Sequence, residues 1–397
     1  MRVLENIRVL DLTHVFAGPF CAYQLGVMGA EVIKIEPVGT PDMTRETGAR
    51  KDLSDQGMGL GFVNQGAGKK AIALDLTTPG GRAAFEKLVQ SADVLVQNYT
   101  TACLEKLGLL PEQLQAVNPR LICCSISGYG RTGPKADHPA YDVVIQAFAG
   151  VMASNGEAGS PPVRVGPPII DYGTGAQAAL AICAALFSRE RTGKAQSIDV
   201  AMSDCALMLM SANVVAATAT GTAPRPFGNR DPGLATYSAY PTAQGTVMLG
   251  AFTPKQAANL MAALGNDQAA REIRSGSLRD MEQRRDRYEA FLTEKLATRS
   301  AQHWEDLLNA AHVPAARIRT LDEALTHPQF TTRNVVQPVE LNGETLRLPV
   351  AGFSMDQAEI APSSPPPAYA ADSDSVLTSL GYSADDIRQM RDKGVIA

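Results

Sequence analysis

Short apolar runs alternate with amphipathic stretches through the first half of the chain. Residues 8–12 read as a strand, 19–28 as a helix stopped by Gly29, and 31–35 (EVIKI) as a second strand. Residues 72–76 give a third strand, and 78–91 predict a helix with Thr78 as cap and Pro79 at its first position. Strands at 93–97 and 121–125 complete this set, and the spacing predicts βαβ units in a mostly parallel sheet with right-handed crossovers. A mostly apolar stretch at 176–187 predicts a buried helix, followed by a strand at 196–201 and one helix near 204–217. Residues 218–226 are rich in Thr, Ala and Pro and read as a linker. Beyond it, strands at 236–241 and 246–250 and helices at 254–264, 288–298 and 301–311 predict a second, smaller α/β unit. The chain thus divides at 1–217, 218–320 and 321–397, the last part irregular and Pro-rich before helical pieces at 375–380 and 384–393.

Composition narrows the class. At 397 residues with 45% hydrophobic and 19% charged content, the chain holds enough core for two or three domain-sized units. A net charge of −5 argues against a general nucleic-acid binder, because phosphate backbones demand a basic surface. The six cysteines show no CxxC spacing and read as reduced core thiols, which predicts a cytoplasmic protein. The N-terminus reads as a strand rather than a signal peptide, and no apolar run is read as a membrane span.

The segment Val165-Gly-Pro-Pro-Ile-Ile-Asp-Tyr-Gly-Thr-Gly175 is the most distinctive. Its carboxylate, Asp171, lies between prolines and glycines at the start of a long apolar helix. That place suits a nucleophile approached across small residues, but on the segment alone the N-cap reading leads, since capping is the commoner use of Asp at a helix start. Competing motifs are absent. The first strand leads into Thr13-His-Val-Phe-Ala-Gly-Pro-Phe20 with a single glycine, not G-x-G-x-x-G, which argues against a nicotinamide site. There is no P-loop, HExxH, GxSxG or His/Cys cluster at metal spacing. Of five scattered histidines, only His14, in the loop after the first strand, stands where chemistry is expected. Lys106, Arg131 and Lys135 follow strands on their carboxyl-end side, while Lys69 and Lys70 precede one; with the loop Ser127-Gly-Tyr-Gly-Arg-Thr-Gly-Pro134 they suggest a phosphate-bearing ligand.

Taken together, VLDLTHVFAGPFCAYQLGVMGAEVIKIEP, GKKAIALDL, ADVLVQNY, SGYGRTGP, AYDVVIQAFAG, GPPIIDYGTG and LGYSADDIRQMRDKGVI resemble the class III coenzyme A transferases. That family includes formyl-CoA transferase, carnitine CoA-transferase and α-methylacyl-CoA racemase. The resemblance implies a Rossmann-like large domain built from both ends of the chain, a small central domain and an interlocked homodimer. It implies transfer of CoA between an acyl-CoA and a free carboxylic acid, with the CoA thioester as co-substrate and no bound cofactor or metal. It places Asp171 at the catalytic aspartate, forming an aspartyl–acyl anhydride and then an aspartyl-CoA thioester.

The same resemblance puts Val15, Phe16 and Ala17 in a CoA-contacting loop and Leu74, Asn98, Tyr99 and Lys106 at adenine, pantetheine or phosphate contacts. Pro37 replaces a basic phosphate contact, so Lys69, Lys70 or Lys106 is expected to supply that charge. Asp142 matches an acid that supports the active site. Racemases carry a His directly before that acid where this chain has Tyr141, and His138 is three residues away, which favours transfer over racemisation. The Gly-rich shielding loop of formyl-CoA transferase is missing between Phe227 and Tyr237. Arg45 and Arg164 are candidates to grip a second carboxylate on a dicarboxylic acyl group. An epimerase of the same family and a catalytically silent CoA-binding protein are the alternatives.

Overall fold

A computed structural model describes residues 1–397 and separates them into two compact units, Met1–Val151 with Arg164–Gly221 and Gln329–Ala397, and Met152–Val163 with Thr222–Pro328. The first unit is built on six parallel strands, β1 (Arg8–Leu12), β2 (Glu31–Glu36), β3 (Lys69–Ala73), β4 (Val94–Gln97), β5 (Ile122–Ser127) and β6 (Ser197–Ala201), in the order β3-β2-β1-β4-β5-β6. Val9 pairs with Val32 on one side and Val94 on the other. Most residues of the central strands are buried because both faces are covered, as parallel sheets require. The chain reverses its winding between β1 and β4, so their carboxyl ends diverge and leave a crevice there.

Helix α1 (Ala17–Val27) follows β1, α2 (Asp142–Phe148) and α3 (Ile169–Thr192) follow β5, and α4 (Met202–Leu209) and α5 (Ser211–Thr220) follow β6. At 24 residues α3 is twice the expected 176–187, and it is long and apolar enough to cross a bilayer. Half of its apolar window is buried inside the protein, so it is the core helix of its unit. A Cβ on Gly175 would sit 2.5 Å from the Ala17 carbonyl oxygen, and one on Gly173 would sit 2.9 Å from Leu209. These glycines therefore let α1 and α4 approach α3 closely; open space for a substrate is not their role. The helix expected at 204–217 breaks into α4 and α5, and α5 occupies the start of the expected linker with none of its residues buried.

The C-terminal part packs on the sheet of the first unit. Leu74 pairs with Ile396 in an antiparallel bridge, and the Ala71 N–H on edge strand β3 donates to Asp372 at 2.8 Å. Residues 336–349 form a hairpin within the stretch expected to be irregular. Its turn is Asn342-Gly343, both in the left-handed region at φ 52° and 83°, the conformation a two-residue hairpin demands. The second unit has a three-stranded antiparallel sheet (Ala239–Pro241, Thr246–Leu249, Ala315–Arg317) and helices around a core that includes Leu249, Leu260, Leu292 and Trp304.

Candidate active site

Asp171 is the third residue of α3 and is 7% exposed. It does not cap that helix. The cap is supplied from α2, where the Asp142 carboxylate accepts from the N–H groups of Ile170 at 2.8 Å and Asp171 at 3.1 Å. Gln146 donates to the other Asp142 oxygen and accepts from the Val165 N–H at 2.9 Å, fixing the approach to α3. The Asp171 carboxylate itself accepts no hydrogen bond. Burial, followed by the nearby negative charge of Asp142, pushes its pKa up to about 7. Its ordinary value near 3.9 would leave it fully ionised at neutral pH; here it is a poorly solvated carboxylate poised at the neutral point.

The carboxylate opens into a cavity at the crevice, lined by His14 and Phe16 after β1, Asn98 after β4, Ser127 and Gly128 at the end of β5, and Tyr141. Val15 and Ala17 line it too. Val15 sits at φ +72°, in the left-handed region where a β-branched side chain costs about 1–3 kcal/mol. Two further cavities share His14: one holds Asn98, Tyr99, Arg131 and His138, the other Pro37, Met43 and Tyr99. His14 and Tyr99 rings lie 6.0 Å apart, and Asn98 spends its amide on the His14 backbone. Tyr141 is 58% exposed at the N-terminus of α2.

The basic residues separate into different places. Lys69 is buried, donating to Asp11 at 2.7 Å and to the Pro19 carbonyl at 2.9 Å, so its charge is already used inside the sheet. Lys70 pairs on the surface with Glu31. Arg45 is fully buried, bonds both oxygens of Glu36 at 2.9 and 2.7 Å and stacks 3.6 Å from the Phe62 ring centre. It is not available to a substrate carboxylate. Arg164 and Lys106 are exposed and line none of the three cavities, and Leu74 is 1% exposed in the core. Of the basic residues considered from the sequence, Arg131 borders the crevice.

A second buried cluster lies beside the cavity. Lys34 donates to Asp42 at 3.1 Å and to the Thr13 carbonyl at 2.8 Å, and Asp42 accepts from Thr44. Asp11, Lys34, Asp42, Gln65 and Gln146 were not singled out by sequence reading. A signal was present for two of them: Asp11 lies between Leu10 and Leu12 and Lys34 between Ile33 and Ile35, and charges are buried only when paired.

The crevice of this α/β sheet thus holds a buried carboxylate with no hydrogen-bond donor of its own, the place where open α/β sheets take a ligand. The model of CoA-transferase family III matches residues 4–373, and this chain belongs to that family. It is 37% identical to an acetyl-CoA:oxalate CoA-transferase of Acetobacter aceti over 84% of this chain and 85% of that one. It is 33% identical to a succinyl-CoA:mesaconate CoA-transferase of Haloarcula hispanica over 91% and 92% of the two chains. A CAIB/BAIF family protein from Brucella suis has a crystal structure that superimposes with a TM-score of 0.81 at 30% identity, covering 95% of this chain and 99% of that one. The chain is a class III CoA-transferase that uses a CoA thioester as co-substrate.

Proposed function

We propose that the enzyme moves CoA between an acyl-CoA and a small dicarboxylic acid with Asp171 as nucleophile. The Asp171 carboxylate attacks the thioester carbonyl, and the C–S bond breaks to give an aspartyl–acyl anhydride and CoA thiolate. The thiolate attacks the aspartyl carbonyl, forming aspartyl-CoA and releasing the donor carboxylate. The acceptor carboxylate attacks aspartyl-CoA and expels the thiolate, which then takes the acyl group and restores Asp171. The observation that carries this reading is the Asp171 carboxylate itself, buried, without donors and open to the crevice. Such a group is a stronger nucleophile than a solvated one, and the enclosed setting protects an anhydride from water.

Asp142 serves as the positioning acid, capping the helix that carries the nucleophile. The acyl end and pantetheine lie along Val15, Phe16, Ala17, Asn98 and Tyr99, with Arg131 nearest a phosphate. The dicarboxylate reading rests on the relatives, whose names give oxalate, mesaconate and, for an Agrobacterium fabrum protein 34% identical, succinate and glutarate. The enzyme acts in the cytoplasm as a homodimer. In support of the dimer, Leu207, Met208, Leu209 and Val215 of α4 and α5 are each about half or more exposed, apolar side chains that a partner subunit would cover. CoA exchange between succinyl-CoA and a panel of dicarboxylic acids is expected to fall by on the order of 10³-fold or more in Asp171→Ala. Undiminished exchange overturns the assignment.

A further inference from the structure

All six backbone polar groups of residues 13–15 are held by side chains. The Thr13 N–H donates to Asp11 at 2.9 Å and its carbonyl accepts from Lys34 at 2.8 Å. The His14 N–H and carbonyl both engage Asn98, at 3.1 and 2.9 Å. The Val15 N–H reaches Asp42 at 3.4 Å, and the Val15 carbonyl accepts from Gln65 Nε2 at 2.5 Å. The loop therefore has no freedom to choose its own conformation, and the conformation imposed on it includes a left-handed valine.

Gln65 closes this clamp. It sits on the helix Leu60–Gly66 with its side chain 1% exposed, and its Oε1 finds no partner. An orphaned buried acceptor is destabilising, and an apolar side chain of the same shape would avoid it. What the amide contributes here is its donor, which meets the Val15 carbonyl. We infer that Gln65 is a positioning residue for CoA transfer: it holds Val15 in the left-handed region so that Phe16 and Ala17 keep their place in the wall of the nucleophile's cavity. This inference rests on Asp171 as nucleophile. Without the Gln65 donor, Val15 relaxes toward negative φ and carries that wall away from the carboxylate.

The test compares Gln65→Met, Val15→Gly and the double variant, each checked for folding by circular dichroism. Gln65→Met is expected to lower kcat about tenfold to a hundredfold, with KM for succinyl-CoA little changed, since small misplacements near reacting atoms cost that much. Adding Val15→Gly is expected to restore part of kcat, because glycine adopts a positive φ without strain. A merely structural Gln65 would show no such rescue. If Gln65→Met does not fold, Gln65→Asn, which keeps the amide but shortens its arm, gives the same readout. Wild-type kcat in the folded Gln65 variant, or a double variant no faster than Gln65→Met, sinks the inference. Hydroxylamine trapping of the wild-type aspartyl adduct separates the two readings. No adduct at Asp171 sinks the nucleophile, whereas an adduct with an unaffected Gln65 variant sinks the positioning role alone.

Discussion

Asp11 and Asp171 are both buried carboxylates of the first unit, and their surroundings drive them in opposite directions. Burial by itself raises both. Around Asp11, Lys69 and Lys34 and the Thr13 hydroxyl reverse that effect and hold the pKa at about 2. Around Asp171 no cation and no donor answers the burial, Asp142 adds a second negative charge, and the pKa stands at about 7. One carboxylate is fixed structure, and the other is the proposed nucleophile. The lesson is that burial does not mark a functional acid; burial without partners does.

The comparison can be broken most directly through stability. Asp11→Asn leaves Lys69 as a buried cation without its counter-charge, so a loss of about 3–5 kcal/mol in denaturant unfolding is expected. Asp171→Asn removes a charge that has no partner, and the same measurement is expected to show no loss. A destabilised Asp171→Asn, or a tolerated Asp11→Asn, would contradict the contrast.

Acidity sharpens it further. Asp171 must lose its proton to attack, so kcat/KM is expected to rise about tenfold per pH unit below pH 7 and to level above it. Asp142→Asn removes the repelling charge and is expected to move that midpoint downward, and a midpoint that stays in place would remove Asp142 from the account. The stability linkage runs oppositely for the two acids. Asp171, raised in the folded state, contributes stability that is full below about pH 3.9 and is lost as pH rises through about 7. Asp11, depressed, contributes stability that is present above about pH 3.9 and is lost as pH falls toward about 2. Melting Asp171→Asn beside wild type between pH 4 and 8 is expected to show the variant gaining ground as pH rises.

The smallest effect is expected at the surface. Lys70 lies next to Lys69 in the chain, but its pair with Glu31 is half exposed, so Lys70→Ala is expected to cost no more than about 1 kcal/mol. Lys69→Met, which strips Asp11 of its partner, serves as the large-effect control. Equal losses at the two lysines would show that burial is not what separates them.

Much of the fold was legible before any coordinates. The runs at β1, β4 and β5 are mostly apolar, broken at Asp11, Gln97 and Ser125, which marks strands covered on both faces, and Thr78-Pro79 marks a helix start that forms as expected. The hairpin at 336–349 was also legible in its Asn342-Gly343 turn, but Pro338 and the surrounding prolines obscured it. The candidate nucleophile was visible through its segment and a family resemblance. Its cap was not, because Asp142 reaches the helix from 29 residues away and no local spacing announces that bond. Two of the basic candidates, Lys69 and Arg45, were hidden for a related reason. A lysine or arginine looks the same in sequence whether it faces solvent or a buried acid, and only packing put Lys69 on Asp11 and Arg45 on Glu36.

The amino-acid sequence by itself determined the strands, most helices and the parallel sheet, because periodicity and residue type are local properties, and its resemblance to a family pointed to Asp171. The tertiary structure alone decided what kind of acid Asp171 is. Proton affinity depends on which charges and donors surround a group and on how much water is left there, and those are set by elements distant in the chain. The same packing decided that Val15 is held in a conformation its side chain resists, by side chains drawn from Asp11 through Asn98.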